Sequence, residues 1–172
     1  MRVHMSWLLA AATLGSALVS SSAAADRRFA VQASVAEGIA VGDAGDSIIV
    51  RRAPMFADLS VATWSTEDPD WWIGGGLRLE FESQTSFGAS LRVGMNANLE
   101  MLSVRPYVGA AVIFAPLTLV GAEVGVDVTV ALLDSFRLLG RVFADGYFLG
   151  DDLPQGSVIV TFSGALGVEV VF

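Results

Sequence analysis

The chain contains no cysteine and no lysine, and its one histidine, His4, stands close to the amino terminus. Without cysteine there is no disulfide framework and no lipoprotein thiol to carry a lipid anchor. Without lysine every fixed cation is an arginine, and the ten arginines are outnumbered by eighteen Asp and Glu, for a formal charge of −8. Nucleic-acid binding depends on Lys and Arg neutralising phosphates, so this balance excludes that class of partner. Long apolar runs are also missing. Only the segment from Trp7 to about Val19 is continuously apolar, and nothing later approaches the ~18–20 residues that a transmembrane helix requires. Any later membrane crossing has to be made by strands.

The opening segment has the marks of an export signal. Arg2 and His4 precede the apolar run, and small residues ending in Ala23-Ala24-Ala25 follow it. This arrangement predicts a cleaved signal peptide over residues 1–25 and a mature chain, 26–172, starting at Asp26. Loss of Arg2 leaves nine arginines against the eighteen acids, a formal charge of −9. A single domain is expected from the length.

What the mature chain does contain is alternation. From Val158 to Phe172, Val158, Val160, Phe162, Gly164, Leu166, Val168, Val170 and Phe172 fall on one face, and Ile159, Thr161, Ser163, Ala165, Gly167, Glu169 and Val171 on the other. A period of two is the signature of a strand. This one exceeds the ~9–11 residues that a tilted strand needs to cross a bilayer, and one face is free of charge. The pattern recurs upstream. Phe29, Val31, Ala33 and Val35 alternate with Ala30, Gln32, Ser34 and Ala36, with Glu37 interrupting the apolar face; Gly42 to about Arg52 reads as a loop. Met55, Ala57, Leu59 and Val61 oppose Phe56, Asp58, Ser60 and Ala62 in a second strand that could begin as early as Ile48. Further strands run from Trp71 to Glu82, from Phe87 to Glu100, from Val104 to about Phe114, from about Leu119 to Leu132 and from Phe136 to Phe148. Including the last, the total is eight strands, each joined to its sequence neighbour, which predicts an all-β, antiparallel up-and-down barrel.

Alternation does not say which face is inside. A soluble barrel with an apolar ligand cavity, of the lipocalin kind, is the alternative to a transmembrane one. The mixed face combines Arg, Glu and Asp with many Gly, Ala and Ser, which suits a narrow lumen better than a solvated exterior. Aromatics gather towards strand ends: Trp64, Trp71, Trp72, Phe136 and Phe172 at one rim, Phe81, Phe87, Phe114 and Phe148 at the other. Such girdles mark the levels where a barrel wall meets lipid headgroups.

On this pattern the mature chain resembles the small outer-membrane barrels of the OmpA and OmpX type over its whole length. The resemblance implies location in the outer membrane of a Gram-negative-type cell, both termini on the periplasmic side, and contact with outer-membrane lipids. It also implies that the terminal Phe172, with Val170, Val168 and Leu166 before it, serves as the insertion signal for the barrel-assembly machinery. No periplasmic peptidoglycan-binding domain of the OmpA kind is expected beside the barrel, and the loops read as short for adhesion. An acidic rim of Asp43, Asp46, Asp151 and Asp152 is a weaker candidate for contact with cations or a partner.

If the mixed face points inward, turn lengths predict which charges meet. A turn at Leu102-Ser103 sets Glu100 opposite Arg105, one centred on Pro116 sets Arg105 opposite Asp127, and one centred on Asp134 sets Asp127 opposite Arg141. Cross-strand neighbours then form a ladder of alternating sign. Arg78, Glu80 and Arg92 are expected to cluster, Arg137 to lie near Glu169, and Glu123 near Asp145, with Arg92 able to reach across and neutralise them. An eight-stranded barrel has an interior just wide enough for side chains to fill, and buried charges must be paired. The expected role is therefore structural, or a narrow or plugged passive channel. With His4 lost in the leader, no Ser-His-Asp constellation, metal-ligand set or phosphate loop remains. No catalysis, cofactor or metal is expected.

Overall fold

Strands account for nearly all of the computed structural model, which describes residues 27–43, 47–66, 70–81, 85–115, 118–151, 153 and 157–172. The expected signal peptide lies outside them. The strands are β1 (Arg27–Asp43), β2 (Ile48–Ser65), β3 (Trp71–Glu80), β4 (Ser86–Met95), β5 (Ala97–Leu99), β6 (Leu102–Ala115), β7 (Leu119–Ala131), β8 (Phe136–Gly150) and β9 (Ile159–Val171). They form one sheet in the order β4-β3-β2-β1-β9-β8-β7-β6-β5, and an additional β4–β6 pairing closes it. β4 and β5 are two pieces of one stave, interrupted at Asn96, whose N–H turns aside to the Asp70 carbonyl at 2.7 Å. The result is a closed eight-stranded antiparallel up-and-down barrel.

Closure follows from the alternation. Each strand has a small or polar face that tolerates a narrow interior and an apolar face that does not need one. Along β1, Ala30, Gln32, Ser34 and Ala36 are buried while Val31, Ala33 and Val35 are exposed. The same period runs through β4 and β7. Outward positions form an apolar wall that includes Leu59, Leu77, Leu91, Val108, Val124, Val142 and Leu166. Along β8 the outward residues from Leu138 to Phe148, at ~3.3 Å per residue and ~40° of tilt, cover about 25 Å of height.

Two boundaries differ from the sequence expectation. The polar segment from Gly42 to Arg52 is not a long loop, because β1 continues to Asp43 and β2 begins at Ile48, the early start that the sequence allowed, with Gly42 paired to Ile49 and Val41 to Val50. The β-branched Ile48-Ile49-Val50 run favours strand, and a bulge between Ala36/Gly38 and Phe56/Ala53 absorbs the change of register. The β5–β6 hairpin pairs Leu99 with Leu102, so its turn is Glu100-Met101 rather than Leu102-Ser103. Glu100 supplies the positive φ of 47° that this tight turn needs.

Candidate functional site

The barrel interior carries the chain's chemistry. Five arginines and five carboxylates converge there from seven of the nine strands: Arg78, Arg92, Arg105, Arg137 and Arg141 with Asp58, Glu123, Asp127, Asp145 and Glu169. Apart from Arg137, whose side chain is 20% exposed, all are nearly inaccessible.

Strand alternation points these side chains inward, and the small cross-section makes them meet across the lumen. At the end away from the termini, Arg78 bridges two acids that adjoin each other on β7 and β8: Nη2 lies 2.6 Å from Glu123 Oε2 and Nη1 3.1 Å from Asp145 Oδ2. Its guanidinium lies over the rings of Phe56 and Phe143, 5.1 and 5.2 Å from their centroids. The other Glu123 oxygen accepts from Arg92 Nε at 3.0 Å and Tyr107 Oη at 2.7 Å. Halfway along the barrel, Asp58 accepts from Arg92 Nη2 at 2.7 Å and Arg141 Nη1 at 3.3 Å, and lies 3.5 Å from Arg78 Nε. Arg141 forks onto Asp127 with bonds of 2.6 and 2.9 Å, the bidentate geometry that fixes a guanidinium most firmly. Nearer the termini, Gln32 links the layers by accepting from Arg141 at 2.9 Å and donating to Glu169 at 2.8 Å. Glu169 also accepts from Arg105 Nη2 at 2.6 Å, and its other oxygen lies 3.6 Å from Arg137 Nη1.

Aromatic rings complete the packing. Trp72 meets Tyr107 edge to face at 5.7 Å, and Trp64 underlies the Arg105 guanidinium at 5.9 Å. Glycines make the room. A Cβ on Gly125 would fall 2.6 Å from Tyr107 Oη, and one on Gly94 would fall 2.7 Å from Trp72 Nε1.

The site residues expected from the sequence fall in different places. The pairings Arg105 with Asp127, Asp127 with Arg141, Glu123 with Asp145 and Arg137 with Glu169 are all cross-strand neighbours. One member of the expected ladder and one of the expected cluster stand apart. Glu100 is exposed in its turn and cannot face Arg105, and Glu80 is half-buried and accepts from the Ser86 hydroxyl instead of joining Arg78 and Arg92. Trp64 and Trp72 are corrected too: at 7% and 3% exposure they pack inside the barrel, not on its rim. Of the other rim aromatics, Trp71, Phe81, Phe87, Phe114, Phe148 and Phe172 point outward and are exposed, and Phe136 is half-buried. Leu166 and Phe172 are exposed, with Val168 and Val170 half-buried on the same outward face. Asp46 and Asp152 lie outside the described residues. Asp58, Gln32 and Tyr107 were not anticipated as part of the network, although their place on the mixed faces of β1, β2 and β6 was readable. Among the described residues no group of three His, Cys, Asp or Glu is placed to hold a metal.

No protein-family model and no curated protein sequence matches the chain. Solved structures do. Ail, the attachment invasion locus protein of Yersinia pestis, is similar with a TM-score of 0.56 at 13% identity, over 86% of this chain and 99% of that one. Neisserial surface protein A, NspA, is similar with a TM-score of 0.52 at 13% identity, over 83% of this chain and 96% of that one. Both are small eight-stranded outer-membrane barrels, and at such identity the likeness is one of fold.

Proposed function

We propose that the chain is an integral outer-membrane barrel whose interior is closed by its own ion pairs, so that its role is structural and it passes little or no current. The carrying observation is the inversion of polarity: ten charged side chains fill the inside, while large apolar residues such as Leu59, Leu77, Leu91, Val142 and Leu166 cover the outside. A monomer in water would expose far less contiguous apolar surface. An apolar wall about 25 Å tall matches a bilayer. The filled, charged lumen disfavours a lipocalin-like carrier, which needs an apolar cavity within. In this reading Trp71, Phe81, Phe87, Phe114, Phe136 and Phe148 sit at the headgroup levels, lipids are the standing partner, and Leu166, Val168, Val170 and Phe172 engage the barrel-assembly machinery. No catalytic role is assigned.

The test is single-channel recording on the refolded protein in planar bilayers, paired with a heat-modifiability gel. A compact band that shifts on boiling, with no steady current, is the expected result. Regular ion-selective steps would refute closure. A protein that stays in buffer without detergent would refute membrane insertion.

A further inference from the structure

The interior charges balance as a set but not along the barrel. Towards the end away from the termini, Arg78, Arg92 and Arg141 meet four carboxylates, Asp58, Glu123, Asp127 and Asp145. Towards the termini, Arg105 and Arg137 share Glu169 as their one carboxylate among the described residues. The Nε atoms of both arginines are buried without a hydrogen-bond partner, and Arg137 reaches Glu169 only at 3.6 Å, beyond hydrogen-bond length.

Next to this cationic layer, with Arg137 in its wall, the barrel has a vestibule of about 320 Å³ lined also by Arg28, Trp64, Asn96, Asn98 and Glu100. Arg28 makes no ion pair among the described residues, and β1 alternation turns it towards the lumen side. Among the described lining residues two guanidiniums therefore stand against one exposed carboxylate, and the Asn96 and Asn98 side-chain amides add neutral donors. Guanidinium forks match the oxygen geometry of carboxylate and phosphate, and the volume is at the lower end of the range for small-molecule sites.

We propose that this vestibule is a binding site for a small, multiply charged oxyanion, held between Arg28 and Arg137 and oriented by Asn96 and Asn98. The site would open on the same side as both chain termini and would complete the charge that Glu169 leaves unmatched. It does not depend on whether the barrel conducts.

The test is an NMR titration of the isotope-labelled protein in detergent micelles, at constant ionic strength so that diffuse attraction is held fixed. The probes are inorganic phosphate and, separately, citrate. Saturable shifts at the Asn96 and Asn98 side-chain amides and the Arg137 Nε–H are expected. Arg28→Gln and Asn98→Asp, both at exposed positions outside the buried network, should each weaken binding on the order of tenfold. Arg137→Gln is the second cation variant, judged only where the gel shows a folded band. Response to one probe alone identifies the anion as phosphoryl or carboxylate. Shifts that never saturate, or affinity unchanged in Arg28→Gln and Asn98→Asp, would overturn the proposal.

Discussion

Replacing Asp58 by Ala removes the acid on which three arginines converge. Its side chain is 2% exposed, with Arg92 at 2.7 Å, Arg141 at 3.3 Å and Arg78 at 3.5 Å. Removing one partner of a buried ion pair costs about 3–5 kcal/mol, because the cation left behind has lost both water and counter-charge. Arg92 retains Glu123 and Arg141 retains Asp127, so the lower end, about 3 kcal/mol, is the better expectation. At ~2–4 °C per kcal/mol for a protein of this size, the compact electrophoretic band should convert about 6–12 °C earlier on heating. Asp58→Asn, which keeps the shape and one acceptor oxygen, should fall between Ala and the parent. Combining it with Arg92→Gln should cost less than the two single changes added together, since the pair is coupled. A midpoint for Asp58→Ala within about 2 °C of the parent would refute the reasoning. It would mean that water, rather than the carboxylate, solvates these guanidiniums.

Three other outcomes are expected. Gly125→Ala places a methyl group 2.6 Å from Tyr107 Oη and 2.7 Å from Phe143 Cβ. It should cost about 1–3 kcal/mol in the same thermal assay, whereas Gly146→Ala, with nothing within 4 Å of the added carbon, should be near neutral. Glu100→Asn should leave stability unchanged or raise it by a few tenths of a kcal/mol, because Asn tolerates the left-handed φ of 47° better than Glu; a loss like that of Asp58→Ala would restore Glu100 to the ion-pair network. Leu166→Arg, on the outward wall opposite Val35 and Gly140, should destabilise the protein in lipid vesicles by about 2–4 kcal/mol. Ile48→Arg, at the tip of the β1–β2 hairpin, should have little effect, and equal tolerance at both positions would count against membrane immersion of the Leu166 wall.

The fold was legible in the sequence because period two decides facing residue by residue, and short turns leave little choice of neighbour. Registers followed wherever the turn was read correctly, as for Glu123 with Asp145 and Arg137 with Glu169. One misplaced turn was enough to send Glu100 to the wrong position, since a turn displaced by two residues shifts the pairing by four and leaves Glu100 in the turn itself. The same alternation put Trp64 on the face of Asp58 and Trp72 on that of Arg78. Their aromatic character suggested a rim, but Gly74 and Gly94, where an added Cβ would lie 3.0 and 2.7 Å from the Trp72 ring, leave room for that indole in the interior. What a flat ladder cannot convey is curvature. Arg105 faces Asp127 on the adjacent strand, yet it bonds to Glu169 across the lumen. Asp127 is already gripped by both nitrogens of the Arg141 fork, and a closed barrel brings β9 within reach of an arginine on β6. Pairwise register therefore names which charges are close, and closure decides which of them bond. The surplus of cation at the terminal end, on which the vestibule depends, arises from that second step and has no counterpart in strand-by-strand reading.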